Sequence, residues 1–204
     1  LSVGWAGSAC PGIDDLHAHA KAKAGVAEAG VWAFGGRLPA GEAALVNGAM
    51  AAALDFDTVH DLAGSHSDIV VLPAVLALAE RERLTGREFL AAYAAGSEAL
   101  VRLSLALTAR PGWFYSSVLG VFGAAAASAR ALRLDATRTR HALGIALSRA
   151  AGTQLTLVER SLTKRLQSAF AARDGVEAAQ LAAIGVAAAA RMFEGAGGFS
   201  ALYG

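Results

Sequence analysis

The hydrophobic positions along the chain follow helical rather than alternating spacing. Residues 69–84 are apolar nearly all round and then become charged at Arg81, Glu82 and Arg83, which predicts a buried helix with a solvated end. Residues 85–88, Thr-Gly-Arg-Glu, have capping-box spacing, so a second helix is predicted over about 86–107, with a break at 110–112. No segment alternates convincingly with a period of two.

Four further helices are predicted from alanine-rich stretches with helical spacing: about 117–132, 136–150, 166–183 and 186–192. Ser116 or Ser117 is expected to cap the first of them, and Asp135 the second. The sequence therefore predicts an all-α fold, residues 1–204 forming a single domain of helices packed closely through alanine and glycine.

Composition and charge narrow the class of protein. Hydrophobic residues make up 55% of the 204 residues, with an excess of alanine, which favours closely packed helices. The 18 Lys and Arg nearly balance the 17 Asp and Glu, so no overall field would attract nucleic acid or an anionic membrane surface. Cys10 is the only cysteine, which excludes a disulfide framework and a thiolate-held iron–sulfur cluster.

Neither a membrane span nor a signal peptide is indicated. The longest stretch without charge, 111–129, contains three glycines, three serines and an initial proline, which favours a buried helix entered from a loop. A charged start followed by a short apolar run is absent from the sequence as it stands. A cytoplasmic location is the default expectation.

Polar side chains, most of them titratable, crowd into one segment between two strongly apolar helices: Asp55, Asp57, Thr58, His60, Asp61, His66 and Asp68. A loop of this composition held by rigid helices suits proton transfer. The alternative is a solvated loop with helix caps. A metal site is a third interpretation, but no His-x-x-x-His pair or EF-hand spacing supports it.

Two other segments could contribute to a site. Lys164 and Arg165 precede an alanine-rich helix, and a lysine near a buried site can bind a substrate carboxylate or, with a lowered pKa, act as a base. Residues 112–117, Gly-Trp-Phe-Tyr-Ser-Ser, could hold an anion at a helix start through hydroxyls and free N–H groups. Each segment alone could equally be structural.

Taken together and in order, these segments resemble the MmgE/PrpD family, which includes 2-methylcitrate dehydratase, cis-aconitate decarboxylase and iminodisuccinate epimerase. The resemblance spans nearly the whole chain. It rests on His60, His66 and the following stretches: 44–49 (ALVNGA), 54–57 (LDFD), 71–74 (VLPA), 86–93 (GREFLAAY), 118–123 (VLGVFG), 141–146 (HALGIA), 163–166 (TKRL) and 197–199 (GGF).

The resemblance implies roles for particular residues. Asp55, His66 and Lys164 correspond to family site residues that bind substrate carboxylates and manage a proton. Beside these three, we predict a substrate-binding set of Asp57, His60, Ser116, Arg165 and Gln167. The resemblance also implies a homodimer that works without metal or organic cofactor on a small polycarboxylate, and full-length relatives with an additional α/β lid domain outside this helical portion.

The chain departs from the family pattern at several of these positions. Thr58 replaces a second aspartate, Ser67 a proline and Gln167 a histidine. Phe114 stands where the lyases carry a histidine, and a phenylalanine cannot donate or accept a proton. Tyr115, one residue later, is therefore predicted to supply the catalytic phenol.

Three functions follow from these observations. The first is a lyase of dehydratase type that removes a proton α to a carboxylate of a di- or tricarboxylate. The second is an epimerase of an iminodisuccinate-like dicarboxylate that uses Tyr115 and Lys164. The third is a non-catalytic helical module that retains only dimerisation, which absence of the lid would favour.

Overall fold

The fold is helical, with one very short antiparallel ribbon. A computed structural model describes residues 1–107 and 112–203, and the expected break at Arg110 and Pro111 lies outside them. In chain order the elements are α1 (Ser2–Gly7), α2 (Ile13–Ala22), β1 (Ala29–Gly30), β2 (Arg37–Leu38), α3 (Ala40–Ala51), α4 (Asp68–Glu82), α5 (Gly86–Ala106), α6 (Tyr115–Val118), α7 (Gly120–Ala131), α8 (Ala136–Leu147), α9 (Leu155–Val158), α10 (Thr163–Ala183) and α11 (Phe199–Tyr203). The all-α class is confirmed.

The core is built from α3, α4, α7 and α10. Of the twelve residues of α7, ten are buried, and α3 buries nine of its twelve. Because these helices are buried on most sides, each packs against several neighbours, and the side chains at the crossings must be small. Alanine and glycine meet this requirement. A Cβ on Gly175 of α10 would lie 2.7 Å from the Ala125 backbone nitrogen in α7, too close for any side chain. The predicted alanine and glycine packing is confirmed at this crossing.

Several helix ends match the sequence pattern because local side chains fix them. Thr85 Oγ1 accepts a hydrogen bond from the Glu88 backbone N–H at 3.3 Å, while the Glu88 carboxylate accepts one from the Thr85 N–H at 2.9 Å. The capping box of α5 is thus confirmed. Asp135 caps α8 by accepting from the Arg138 N–H at 2.8 Å.

Two local predictions are wrong, and two short strands were not predicted. Ser116 and Ser117 do not cap a helix, because both lie inside α6 and their hydroxyls bond elsewhere in the fold. Residues 186–192 form coil and turn instead of a short helix. The two short strands pair Ala29 with Leu38 and Gly30 with Arg37. The sequence did not indicate them, because an alternation of apolar and polar positions cannot be recognised in a strand of two residues.

Within the described residues, one helix, α5, is long and apolar enough to cross a membrane by length and mean hydropathy. It starts with a polar capping box and carries the Glu98 and Arg102 ion pair on its exposed side. Only 17% of its most apolar window is buried inside the molecule. Its length and hydropathy alone are weak grounds for a membrane span, and the cytoplasmic location stays a prediction.

Candidate functional site

A cleft of about 560 Å³ opens where the loop between α3 and α4 faces the start of α10. One wall comes from the end of α3 and the titratable loop, and the other from α9 and the first turn of α10. The lining residues are Ala52, Ala53, Asp55, Asp57, His66, Ile69, Phe114, Thr156, Leu157, Arg160, Ser161, Lys164 and Arg165. Chain segments about a hundred residues apart therefore share one site.

Lys164 and Asp55 meet across this cleft. The Lys164 ammonium donates to Asp55 Oδ1, and it also lies over the Phe114 ring, 5.9 Å from the ring centroid. Asp55 has a φ of 50°, a left-handed backbone conformation that aspartate adopts more readily than most residues. The Asp55 side chain is 66% exposed, so its carboxylate reaches the lysine from the open side of the cleft.

Opposing influences act on the charge of Lys164. Burial first, and the neighbouring Arg165 second, lower the pKa of the Lys164 amine below its ordinary value. Ionised Asp55 favours the charged ammonium. A substrate carboxylate that displaced Asp55 from the ammonium would supply the same compensating charge, so the lysine is suited to anion binding.

His66 forms a second pair, with Asp57. Its Nδ1 lies 2.8 Å from Asp57 Oδ2 and 3.0 Å from the Thr58 carbonyl oxygen. Both neighbours are acceptors, so Nδ1 carries a proton in the neutral as well as in the charged ring. In the neutral ring Nε2 is then the nitrogen left to accept a proton.

The hydrogen bond to Asp57 raises the pKa of His66 above its ordinary value, and burial opposes that shift in part. The His66 backbone N–H donates to Ser116 Oγ at 3.3 Å, which ties the loop to α6. Ser116 is buried and acts through this contact, without lining the cleft.

The remaining predicted site residues are divided between the cleft and other places. Arg165 lines the cleft and donates to the Pro11 carbonyl at 3.1 Å. Gln167 lies outside it, buried against the α9 segment with its amide nitrogen donating to Thr156 Oγ1 at 2.7 Å. His60 also lies outside, in the exposed loop, where its Nδ1 accepts from the Ala63 N–H.

Tyr115 does not reach the cleft. Its hydroxyl donates to the Tyr203 carbonyl oxygen at 3.5 Å, and its ring packs against the core. Phe114, its neighbour, is the residue of this segment that lines the cleft. The two side chains point in different directions because Phe114 precedes α6 while Tyr115 begins it.

Sequence reasoning missed Arg160, Thr156 and Ser161, which line the same cleft. Arg160 adds a third cation beside Lys164 and Arg165. Its backbone φ of 52° places it in the turn that joins α9 to α10. The polar run of residues 159–161, directly after the apolar residues 157–158, was the available signal.

A metal site was the third interpretation of the segment that contains Asp55 and His66. Across residues 1–107 and 112–203, no group of three or more His, Cys, Asp or Glu side chains is arranged to hold an ion. In the cleft, Lys164 pairs with Asp55 and His66 with Asp57, an arrangement in which an anion can exchange places with a carboxylate.

The fold and cleft define a helical domain whose cleft is lined by three cations, two carboxylates and one histidine. The chain belongs to the MmgE/PrpD family, since the model of the MmgE/PrpD N-terminal domain matches residues 1–204.

Relatives with curated names agree with this assignment. The chain is 32% identical to a cis-aconitate decarboxylase-like protein of Aspergillus oryzae, over 98% of this chain and 42% of that protein. It is 35% identical to cis-aconitate decarboxylase of Homo sapiens, over 82% of this chain and 36% of the human protein. The mouse decarboxylase matches at 32%, over 100% and 43%. The chain thus spans about two fifths of the length of these relatives.

Proposed function

We propose that this chain carries the substrate cleft of a lyase that acts on a small tricarboxylate or dicarboxylate, with cis-aconitate as the first candidate. One observation carries the proposal: Asp55, Asp57, His66 and Lys164, drawn from two distant segments, line one cleft with Arg160 and Arg165. The names of the relatives support the lyase class and the substrate class.

In the proposed mechanism the cations bind carboxylates and His66 moves the proton. Lys164, with Arg160 and Arg165, holds the carboxylates and withdraws charge from the adjacent carbon. His66 Nε2 takes the proton α to a carboxylate, the electron pair forms a carbon–carbon double bond, and the group on the β carbon leaves. For a decarboxylation the proton moves the other way, from Nε2 to carbon, as carbon dioxide departs.

The epimerase alternative depends on Tyr115 and Lys164 acting on opposite faces of one carbon. The Tyr115 phenol is directed to the Tyr203 carbonyl, away from the cleft that Lys164 lines, so the geometry favours the lyase. The non-catalytic module keeps the same cleft and differs only in turnover.

Measurements of binding and of turnover distinguish the lyase, the epimerase and the non-catalytic module. Titration of cis-aconitate into the 204-residue chain, followed by calorimetry, is expected to give a Kd that rises about tenfold or more in Lys164→Ala, since one charge-assisted contact is worth about 1.5–3 kcal/mol. Lys21→Ala, an exposed lysine on α2, is the matched control and should leave the Kd unchanged. An equal Kd in Lys164→Ala and wild type would contradict the proposed carboxylate site.

Turnover is followed by proton NMR and optical rotation in deuterated water, with cis-aconitate and with a chiral hydroxy tricarboxylate. An alkene acid, or loss of one carboxylate with deuterium uptake, supports the lyase. Racemisation without an alkene supports the epimerase instead. Binding without deuterium exchange or product would favour the non-catalytic helical module.

The homodimer implied by the family is likewise a proposal. The exposed side of α5 supports it, because Leu90 and Leu105 stand there 62% and 52% exposed. Light scattering is expected to give twice the mass of one chain, and Leu90→Glu to reduce it. Ile184→Glu changes an exposed apolar residue elsewhere and should leave the mass unchanged. A single-chain mass for the wild type would refute the dimer.

A further inference from the structure

A chain of hydrogen bonds begins on α5 and ends at the loop that holds His66. The Tyr93 hydroxyl, from the middle of α5, donates to Asp68 Oδ1. The other carboxylate oxygen of Asp68, Oδ2, accepts from Thr58 Oγ1 at 2.6 Å. Asp68 is the first residue of α4, where the helix dipole favours a negative charge, so its carboxylate is a fixed anchor.

Thr58 connects this anchor to the histidine. Its carbonyl oxygen is one of the two acceptors that face His66 Nδ1, and its neighbour Asp57 provides the other. The Thr58 side chain is held by Asp68 while its backbone holds the imidazole. The segment around it is exposed, so this hydroxyl is one of the few contacts that fix the carbonyl in place.

We propose that Tyr93, Asp68 and Thr58 are positioning residues that orient His66 and keep its Nδ1 protonated and its Nε2 directed to substrate. None of the three lines the cleft, and none is assigned to the predicted site. That His66 handles the substrate proton rests on the proposed function. The positioning itself is a property of the free protein.

Tyr93, the donor at the far end of this series of hydrogen bonds, keeps its proton through the working pH range. Burial, followed by the bond to Asp68, raises the pKa of Tyr93 to about 12. The groups that can change the titration of His66 are therefore those around its ring: Asp57 beside it, Asp55, Lys164, Arg160 and Arg165 in the cleft, and Asp68 behind Thr58.

The test is NMR of the ring nitrogens of His66 as a function of pH, in the whole chain without ligand. The resonances are assigned by comparison with His66→Gln, because the chain has five histidines. Wild type is expected to show the Nδ1–H form when neutral and a pKa above the ordinary value. Thr58→Val, which removes the hydroxyl but keeps the shape, should lower that pKa by about 0.5 unit, roughly a threefold change in proton affinity.

Two more variants test each link. Tyr93→Phe should shift the His66 pKa in the same direction as Thr58→Val, and Thr58→Ser, which keeps the hydroxyl, should restore the wild-type titration. Tyr203→Phe is the matched control: it loses a buried hydroxyl bond to the Ala150 carbonyl, of 2.6 Å, away from this chain of bonds. It should reduce stability and leave His66 unchanged.

The outcomes that overturn the proposal are distinct from failure of the proposed function. An unchanged His66 titration and tautomer in both Thr58→Val and Tyr93→Phe would overturn it, as would equal shifts in Thr58→Ser and Thr58→Val. A shift in Tyr203→Phe as large as that in Tyr93→Phe would show a general loosening of the fold instead. No substrate is needed, so the absence of turnover with cis-aconitate bears only on the function.

Discussion

At the scale of single residues, the cleft contains two charge pairs, Lys164 with Asp55 and His66 with Asp57. The pKa of the lysine is lowered, whereas that of the histidine is raised. Lys164 gains from a carboxylate partner because burial and Arg165 oppose its charge. His66 holds its proton more firmly because Asp57 faces Nδ1. In the proposed function, a substrate carboxylate replaces Asp55 at Lys164 and leaves the His66 and Asp57 pair intact.

The ion pair between His66 and Asp57 is expected to stabilise the protein to an extent that depends on pH. A pKa raised by folding stabilises the protein fully below the unfolded value of about 6.5 and loses that contribution as pH rises through the folded pKa. The free energy of unfolding of wild type minus that of His66→Gln is therefore expected to be larger at about pH 5.5 than at about pH 9. Urea denaturation at the two pH values measures it.

The control for this effect is the same comparison made in Asp57→Asn. Without the carboxylate, the largest cause of the raised pKa is gone, so the pH dependence of the change in unfolding free energy caused by His66→Gln should become clearly smaller. Equal pH dependence with and without Asp57 would contradict the assignment of the pair. Because the His66 side chain is 33% exposed, solvent screens the pair and the effect is expected to be small.

At the scale of elements, α5 is held at its start by local bonds and along one side by α7. The capping box formed by Thr85 and Glu88 is reinforced by Arg133, whose guanidinium donates to Glu88 at 2.7 Å from just beyond α7. This bond, with those from Thr85, lowers the pKa of Glu88 to about 2. The beginning of α5 is thus specified by its own sequence, and its attachment by a residue 45 positions away.

Removing the cap is expected to destabilise the protein. Thr85→Ala leaves the Glu88 backbone N–H without its acceptor and should lower the free energy of unfolding by about 1 kcal/mol. Thr137→Ala, at an exposed position of α8, should be neutral or slightly stabilising because alanine is the better helix former. Urea unfolding of both variants decides this, and equal stability of the two would mean that the cap contributes nothing.

At the scale of the whole molecule, close approach of helices sets the shape of the cleft. Gly175 brings α10 against α7 at Ala124 and Ala125, and Gly48 of α3 lies against Ala169 of α10, where an added Cβ would come within 3.1 Å of the Ala169 Cα. Lys164 is on the first turn of α10, while Asp55 follows α3. The spacing of these helices therefore determines whether the two charges meet.

Adding a methyl group where α10 crosses α7 is expected to destabilise the protein. Gly175→Ala forces a methyl group into backbone atoms of α7 and should lower the free energy of unfolding by about 1–3 kcal/mol. Gly86→Ala is the matched control, because nothing lies within 4 Å of a Cβ added there. Chemical denaturation that shows equal stability for the two variants would contradict the close packing of α7 and α10.

Features that depend on neighbours along the chain could be predicted from the amino-acid sequence. Helical period, alanine content and the side-chain caps Thr85 and Asp135 fixed the all-α class and the start of α5 and α8, because these signals act within one or two turns. Motif order also identified the family and selected Asp55, His66 and Lys164 as candidates that the structure places around one cleft.

Which side chains line the cleft and which contact one another follows from the tertiary structure. The chain pattern could not show that Arg160 faces the cleft, that Gln167 and His60 lie outside it, or that Tyr115 is directed to Tyr203. Nor could it join Tyr93 to Thr58 through Asp68. These contacts link residues from about 10 to about 90 positions apart, and their geometry follows from how helices cross, which depends on packing across the whole core.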